Sequence, residues 1–404
     1  MSEDAIGHAA VDGPVLVIGT GLIGTSIALA LSRAGVDVAL EDADASALQE
    51  AVYRGAGSVF IDQEPSIVVV AVPPAVAASQ LADASHRFST ATITDTTSVK
   101  GHILDEAIRL GADHVRLVGG HPMAGREISG PSAARADLFD GRLWIMTPTG
   151  QEGEQHLART RRLIATCGAA VEVMDPAEHD MGVAVVSHAP QVLASAMASL
   201  LTREPAERIK IAGQGLADTT RIAASDTDLW MQILEANAGP VSGVLTSLVE
   251  QIDRAVSSLA PEAETAGLQD VLDQGNLGHS RLPGKHGAAA TRYAVVPVMV
   301  KDEPGELARL FVAAGDLGVN LEDVRIEHLP GRPRRLGCLA GAQASPKPPD
   351  RPGRRMGCCR QSGPAPCPAS WSTVNEHAVS ATTAMYRTHC AVAARQLTSV
   401  WSSD

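Results

Sequence analysis

An uninterrupted apolar run, Val15–Ile18, leads directly into Gly19-Thr20-Gly21-Leu22-Ile23-Gly24 and then into the Ala- and Leu-rich stretch Thr25–Ala34. Four consecutive apolar residues have no polar face, so a strand built from them must be covered on both sides. Glycines spaced G-x-G-x-x-G behind such a strand do three jobs. The first permits the turn, the second lets backbone approach a pyrophosphate, and the third lets the helix pack closely on the strand. The helix then presents its N-terminus to the phosphates. Asp42 follows a second strand, Val36–Leu40, about 20 residues downstream, where a carboxylate accepts hydrogen bonds from a ribose diol. Glu41 competes for that role. Acid at this place repels a 2′-phosphate, and no arginine adjoins it in sequence, so NAD is expected rather than NADP. Leu22 and Ile23 in the turn, and Val72 and Pro73 at the end of a third apolar run, complete the expected cofactor-binding set with Gly19, Gly21, Gly24 and Asp42.

Strand and helix patterns alternate through residues 1–175, which predicts an α/β, doubly wound parallel sheet. Further strand candidates are Ile67–Val72, Thr92–Thr94, Val115–Val118, Trp144–Thr147 and Val171–Met174. From Pro176 to residue 263 the strand signal gives way to Ala- and Leu-rich helical spacing, which predicts an all-helical domain with a pair-forming surface. Residues 264–291 are polar and contain glycines, and read as a linker. Tyr293–Val300, Glu306–Ala314 and Val319–Glu327 then give half of a small βαβ-type module within 292–330. From 331 to 404 the character changes. Five of the six cysteines fall there, among Pro- and Arg-rich pieces. No hydrophobic period runs through 331–375, so this stretch is expected to be disordered, as an extension or the product of a shifted reading frame.

A formal net charge of -13 and 3% aromatic residues argue against nucleic acid, which needs positive potential and stacking surfaces. The partner is expected to be a small molecule. The acidic opening MSEDAIGHAA lacks the cationic start of a signal peptide. The apolar stretches Val15–Leu31 and Met181–Leu201 are broken by glycines, His188, Pro190 and Gln191, so no membrane span is expected. Cys167 is the only cysteine ahead of Gly331, so a disulfide framework is not expected either. A cytoplasmic location follows as the expectation.

Three further clusters carry candidate chemistry. Asp95-Thr96-Thr97-Ser98-Val99-Lys100-Gly101 sits at the carboxyl end of a strand, where an open parallel sheet meets its ligand, so Ser98 and Lys100 are candidates. Gly119-Gly120-His121-Pro122 puts a histidine on a rigid loop beyond another strand, a good setting for a general base. His8, His86, His102, His114 and His156 lie among polar residues and are expected to be solvated. In the helical region, His179-Asp180 and His188 stand out. Arg221 lies between small and apolar neighbours, where a guanidinium needs an anion, either a carboxylate substrate or Asp218 or Asp226.

The ordered set IGTGLIGTS, DTTSVKG, GGHPMAGRE, HDMGVAVVSHAP and TTRIAASDTDLW, spread between Val15 and Ser247, resembles the prephenate dehydrogenase family. The resemblance implies a Rossmann domain and a helical dimerisation domain, hence a homodimer. It also implies NAD-dependent oxidative decarboxylation of prephenate, a dicarboxylate, to 4-hydroxyphenylpyruvate in tyrosine biosynthesis. Arogenate dehydrogenase is the close variant. Carried onto matching positions, it makes His121 the acceptor of the ring-hydroxyl proton, with Ser98 supporting it. Arg221 would bind a substrate carboxylate, His188 would line the pocket near the second one, and Glu127 and Trp230 would complete the wall. Arg126 departs from the small or polar residue expected there. No metal is implied. A dianion entering an acidic protein does need a local cation, and aromatisation on loss of CO2 drives the reaction. Tyr293–Glu327 looks like the first half of an ACT domain. Its second half is missing, which removes the ground for expecting amino-acid feedback. A non-catalytic NAD- or amino-acid-sensing protein is the alternative from another class, and it predicts NAD binding without turnover.

Overall fold

The computed structural model describes residues 11–125, 130–261, 263–282, 294–316, 319–328 and 334–343. The chain divides into two units near residue 271. The first opens with β1 (Val15–Ile18), α1 (Leu22–Arg33), β2 (Val38–Glu41), α2 (Ala45–Tyr53), β3 (Ser58–Val59), β4 (Ile67–Val70), α3 (Pro74–Arg87) and β5 (Thr92–Asp95). It continues through α4 (Gly101–Arg109), β6 (Leu117–Pro122), β7 (Leu143–Thr147), α5 (Glu154–Thr166) and β8 (Ala170–Val173). The eight strands lie in the order β3-β2-β1-β4-β5-β6-β7-β8. β1 therefore stands between β2 and β4, with Val15 paired to both Val38 and Ile67, and the chain reverses its direction of winding at this point. The crevice at such a switch point is where doubly wound sheets bind their ligands.

Strand alternation explains the two-sided core. Val15 and Val17 pack with Ile27, Leu31, Leu163 and Ile164 on one face, and Leu16 and Ile18 with Leu81, Ile103 and Leu104 on the other. Leu16 is fully buried, so its replacement by Ala would cost about 2–5 kcal/mol. The sheet departs from the expected all-parallel form at one pair: β6 and β7 are antiparallel, with His121 opposite Ile145. The histidine expected on a loop therefore lies inside a strand, because β7 gives residues 119–122 a pairing partner that local sequence does not reveal.

The helical part comprises α6 (Pro176–Val183), a π-helical turn (Ala184–His188), α7 (Ala189–Leu200), α8 (Ala206–Ile209), α9 (Gln214–Thr220), a 3₁₀ turn (Arg221–Ala223), α10 (Thr227–Ala236) and α11 (Ala238–Ser258). Asp175 starts α6 by accepting from the amides of Ala177 and Glu178, with Pro176 in the first turn where no donor is needed. Residues 176–203 are long and apolar enough, by length and composition, to cross a membrane. Buried His188 and Gln191 and exposed Val185, Val186 and Leu200 give this segment a mixed surface instead. The stretch read as a linker contains a helix, α12 (Ala266–Ser280). Arg254 of α11 pairs with Asp270 of α12 at 3.0 Å, a tertiary contact that polar composition conceals.

The second unit contains β9 (Ala294–Lys301), α13 (Glu306–Asp316), β10 (Val319–His328) and β11 (Arg334–Gln343), in the sheet order β10-β11-β9 with both pairs antiparallel. Val298, Val300 and Leu310 form its small core. One correction follows. The stretch from 331, expected to be disordered, contributes β11, which lies between β9 and β10 in the sheet. Backbone pairing on both sides recruits RRLGCLAGAQ, which has little apolar alternation of its own. Residues 344–404, with four of the five late cysteines, lie outside the described residues.

Candidate active site

The glycine turn is built as its spacing demands. Gly19 has φ +97°, and a Cβ there would collide with the Ala71 carbonyl oxygen, so only glycine fits. At Gly24 a Cβ would run into the Gly19 oxygen, so this glycine is required for packing of α1 on β1. A Cβ on Gly21 would meet nothing within 4 Å. Gly21 is also the N-cap of α1, with no side chain capping it. Open space in front of uncapped helix amides fits a pyrophosphate.

Asp42 is held at this turn, where its Oδ2 accepts from the amide and hydroxyl of Thr20 at 2.5 and 2.7 Å. Glu41 is committed elsewhere. Arg87, distant in sequence, donates to Glu41 Oε1 at 2.9 Å and to Oε2 at 2.8 Å, the paired geometry in which guanidinium and carboxylate bind most strongly. The same guanidinium lies against Phe60 and Phe88. Asp42, whose Oδ1 also accepts from the Asp44 amide at 2.8 Å, is thus the carboxylate of the two that no guanidinium holds. Leu22 and Ile23 are half-buried in the first turn of α1, Val72 is half-buried beside the core, and Pro73 is exposed before α3. Gln232 of α10 accepts from the Ala75 amide at 3.2 Å, which ties the helical part to the start of α3.

The second cluster forms a buried clamp. Asp95 and Lys100 are fully buried and paired, and Lys100 Nζ also donates to the Gly120 carbonyl at 2.7 Å. The Gly120 amide returns a bond to Asp95 Oδ1 at 3.1 Å. Both backbone groups of the residue before His121 are therefore fixed. Burial lowers the Lys100 pKa, while the Asp95 carboxylate opposes that shift, because low polarity penalises the charged form and a counter-charge restores it. Removing either charge alone would leave the other buried without its partner. Ser98 is half-buried at the turn between these two residues.

His121 is half-buried, and its Nδ1 lies 2.9 Å from Nε2 of His179. Nδ1 of His179, itself buried, lies 2.8 Å from Asp180 Oδ1. Asp180 also accepts from the amides of Lys100 and Gly101 at 2.8 Å each, closing the N-terminus of α4. Although burial opposes it, bonding from His179 and these amides holds the Asp180 carboxyl below its usual range, since hydrogen bonds to the charged form favour that form. Burial, then the charges of Lys100, His179 and His188, pushes the His121 pKa well down, which keeps its imidazole neutral.

His188 closes the π-helical turn, with Pro190 following in the first turn of α7, and distortions of this kind are often found at functional sites. It is 1% exposed, and burial takes its pKa down to about 4. Asn237, between α10 and α11, lies 3.0 Å from His188 Nδ1 and donates to the Asp180 carbonyl at 2.8 Å. Trp230 stands edge-on to the His188 ring, centroids 6.0 Å apart. The structure therefore brings His121, His188 and Trp230 into one network. Arg221 is exposed on the 3₁₀ turn that packs on α7, not enclosed among apolar neighbours. Asp218 and Asp226, its expected internal alternatives, bond Gln214 and cap α10. Glu127 and Arg126 lie outside the described residues. His156, expected in solvent, is buried with Nδ1 2.7 Å from the Thr92 hydroxyl.

Asp95 and Asn237 escape sequence reasoning, and His179 and Asp180 stand out there without a role. The available signal was polar residues inside apolar helical and strand patterns, which need partners once buried.

Comparison with known proteins gives matches along this part of the chain. Residues 27–173 match the family model "Prephenate dehydrogenase, nucleotide-binding domain", and residues 175–274 match "Prephenate dehydrogenase, dimerization domain". The probable prephenate dehydrogenase NovF of Streptomyces niveus is 36% identical over 331 residues, covering 79% of this chain and 91% of that protein. The prephenate dehydrogenase of Bacillus subtilis is 27% identical over 77% of this chain and 87% of its own length. Among solved structures, Aquifex aeolicus prephenate dehydrogenase in complex with hydroxyphenyl propionate and NAD+ superposes with a TM-score of 0.60 at 29% identity. That match covers 66% of this chain and 96% of that one. Synechocystis arogenate dehydrogenase gives a TM-score of 0.57 at 26% identity, covering 66% and 98%.

Proposed function

The chain belongs to the prephenate dehydrogenase family, NAD-dependent dehydrogenases of tyrosine biosynthesis, and on that premise we propose that its substrate is prephenate, converted to 4-hydroxyphenylpyruvate and CO2. The observation that carries the residue assignment is the His121–His179–Asp180 chain beside the clamped β6 strand. When bound, NAD supplies the hydride acceptor. Gly19, Gly21, Gly24 and the first turn of α1 hold its pyrophosphate, Leu22, Ile23, Val72 and Pro73 line its bed, and Asp42 exchanges its Thr20 bonds for the ribose diol.

His121 accepts the ring-hydroxyl proton as the C–H bond at the same carbon is broken. The ring carboxylate leaves as CO2, and the ring becomes aromatic. Neutral His121 is the competent form of a general base, which its lowered pKa supports. Ser98 orients the hydroxyl, Arg221 binds one carboxylate, His188 donates to the other, and Glu127 and Trp230 border the pocket. The dimerisation-domain match supports a homodimer, and the soluble biosynthetic character of the family supports a cytoplasmic location.

NADH absorbance with NAD and either prephenate or arogenate tests the reading. Turnover should favour prephenate. His121→Asn should lower kcat by about 10²–10⁴-fold, the usual worth of a general base. Arg221→Ala should chiefly raise KM. A higher kcat/KM for arogenate would transfer the assignment to the reaction named for the Synechocystis relative. NAD binding without turnover on either substrate would end it.

A further inference from the structure

We infer that Asp180 is a positioning residue that sets the two imidazoles of the site in opposite tautomers, His121 through its side chain and His188 through its backbone carbonyl. The inference deepens the reaction proposed above and rests on it for the roles of the two rings. Its geometry stands independently of that reaction.

The side-chain arm runs through His179. Asp180 Oδ1 and Oδ2 accept from the Lys100 and Gly101 amides, so this carboxylate has no proton to give and can only accept from His179 Nδ1, as an ionised carboxylate must. A neutral His179 with its proton on Nδ1 presents a lone pair at Nε2, and the atom 2.9 Å away is His121 Nδ1. His121 must then carry its proton on Nδ1, which leaves the lone pair of Nε2 to take a proton. That is the tautomer a general base needs when its other nitrogen is the anchored one.

The backbone arm runs through Asn237. A carbonyl oxygen accepts only. The group that faces the Asp180 carbonyl at 2.8 Å is therefore the Asn237 amide nitrogen. That nitrogen has a second N–H, and His188 Nδ1 lies 3.0 Å from it. His188 therefore accepts at Nδ1 and carries its proton on Nε2. A neutral imidazole with a free N–H is a donor to a carboxylate. One residue thus makes the first ring an acceptor and the second a donor, and both outer nitrogens are Nε2. Asp180, His179 and Asn237 are 6%, 1% and 2% exposed, so water competes little for these bonds.

The test uses the full chain with ¹⁵N-labelled histidine and no substrate, reading tautomers from ring ¹H–¹⁵N correlations. His121→Gln and His188→Gln identify the two signals. We expect Nδ1–H for His121 and Nε2–H for His188. In Asp180→Asn, His121 should lose its single tautomer while His188 keeps its own, because the backbone carbonyl remains. In Asn237→Asp, an acceptor replaces the donor, so His188 should move to Nδ1–H and His121 should not change. In the NADH assay, Asp180→Asn should cut kcat by about 10²-fold or more. Asn237→Asp should act mainly on KM. Should Asp180→Asn fold poorly, His179→Gln interrupts the same arm, with the same expectations for both rings and for kcat. An Nε2–H form of His121 in the unmodified chain, or unchanged spectra in the variants, overturns the inference. Correct tautomers with no NADH formed from either substrate would instead leave the inference standing and remove the proposed reaction.

Discussion

Buried titratable side chains carry this site's chemistry, and their burial has a price that is visible in pH. His188 has an ordinary imidazole pKa of about 6.5 when unfolded and about 4 when folded, because burial disfavours its charged form. The unfolded chain therefore binds the His188 proton first as pH falls. Its contribution to stability is complete above about pH 6.5 and declines as pH falls towards about 4. His121, also pushed down by burial, acts in the same direction. Urea midpoints measured from pH 8 to 4 should fall across that window. His188→Gln should flatten part of the fall, and an equal slope in the variant would contradict this account. The fully buried Cys167 behaves differently: its thiol is pushed up to about 12, while the unfolded thiol ionises near about 8.5, so its slope is confined to the alkaline end of this range and above.

Elements place these residues, and their sequence signals differ in strength. The β1–turn–α1 unit was legible because its chemistry is local: Gly19 and Gly24 answer to atoms of the turn itself or of the adjacent strand's end. This gives a contrast between two substitutions. Gly21→Ala adds a methyl to open space and should leave the thermal midpoint nearly unchanged. It should still weaken NAD binding about tenfold or more, a loss of about 1.4 kcal/mol. Gly24→Ala drives a methyl into the Gly19 carbonyl and should lower stability as well. Calorimetric titration beside thermal melts separates the two effects, and equal losses of stability would refute the assignment. Other elements were not legible for the opposite reason. β6 through His121 depends on β7 across the sheet, β11 on strands to either side, and α12 on an ion pair to α11. His156 looked solvated among charged neighbours until Thr92 of β5 supplied its partner. Where a residue's partner is close in sequence, pattern finds it. The His121–His179–Asp180 chain joins β6 to α6 across several intervening elements and was seen only as separate motifs.

Beside a net charge of -13 for the chain, several large apolar side chains are exposed among the described residues. α7, α10 and α11 line a groove with Val192, Leu234, Val241, Leu245 and Val249, and Val249 and Ile252 are about half exposed. Contiguous apolar surface of this kind usually marks an interface. The proposed partner is a second copy, a reading that the match of residues 175–274 to a dimerisation domain supports. On this reading Val249→Glu places a charge where the partner's apolar side chains would meet it, at a cost of several kcal/mol to association. Sedimentation should show a dimer for the unmodified chain and a monomer for the variant, with the same far-ultraviolet circular dichroism. The imidazoles assigned to the proposed reaction and the side chains bonded to them all come from one chain, so the monomer should retain the His121 and His188 tautomers. A variant that stays dimeric would move the interface to another face of the helical part.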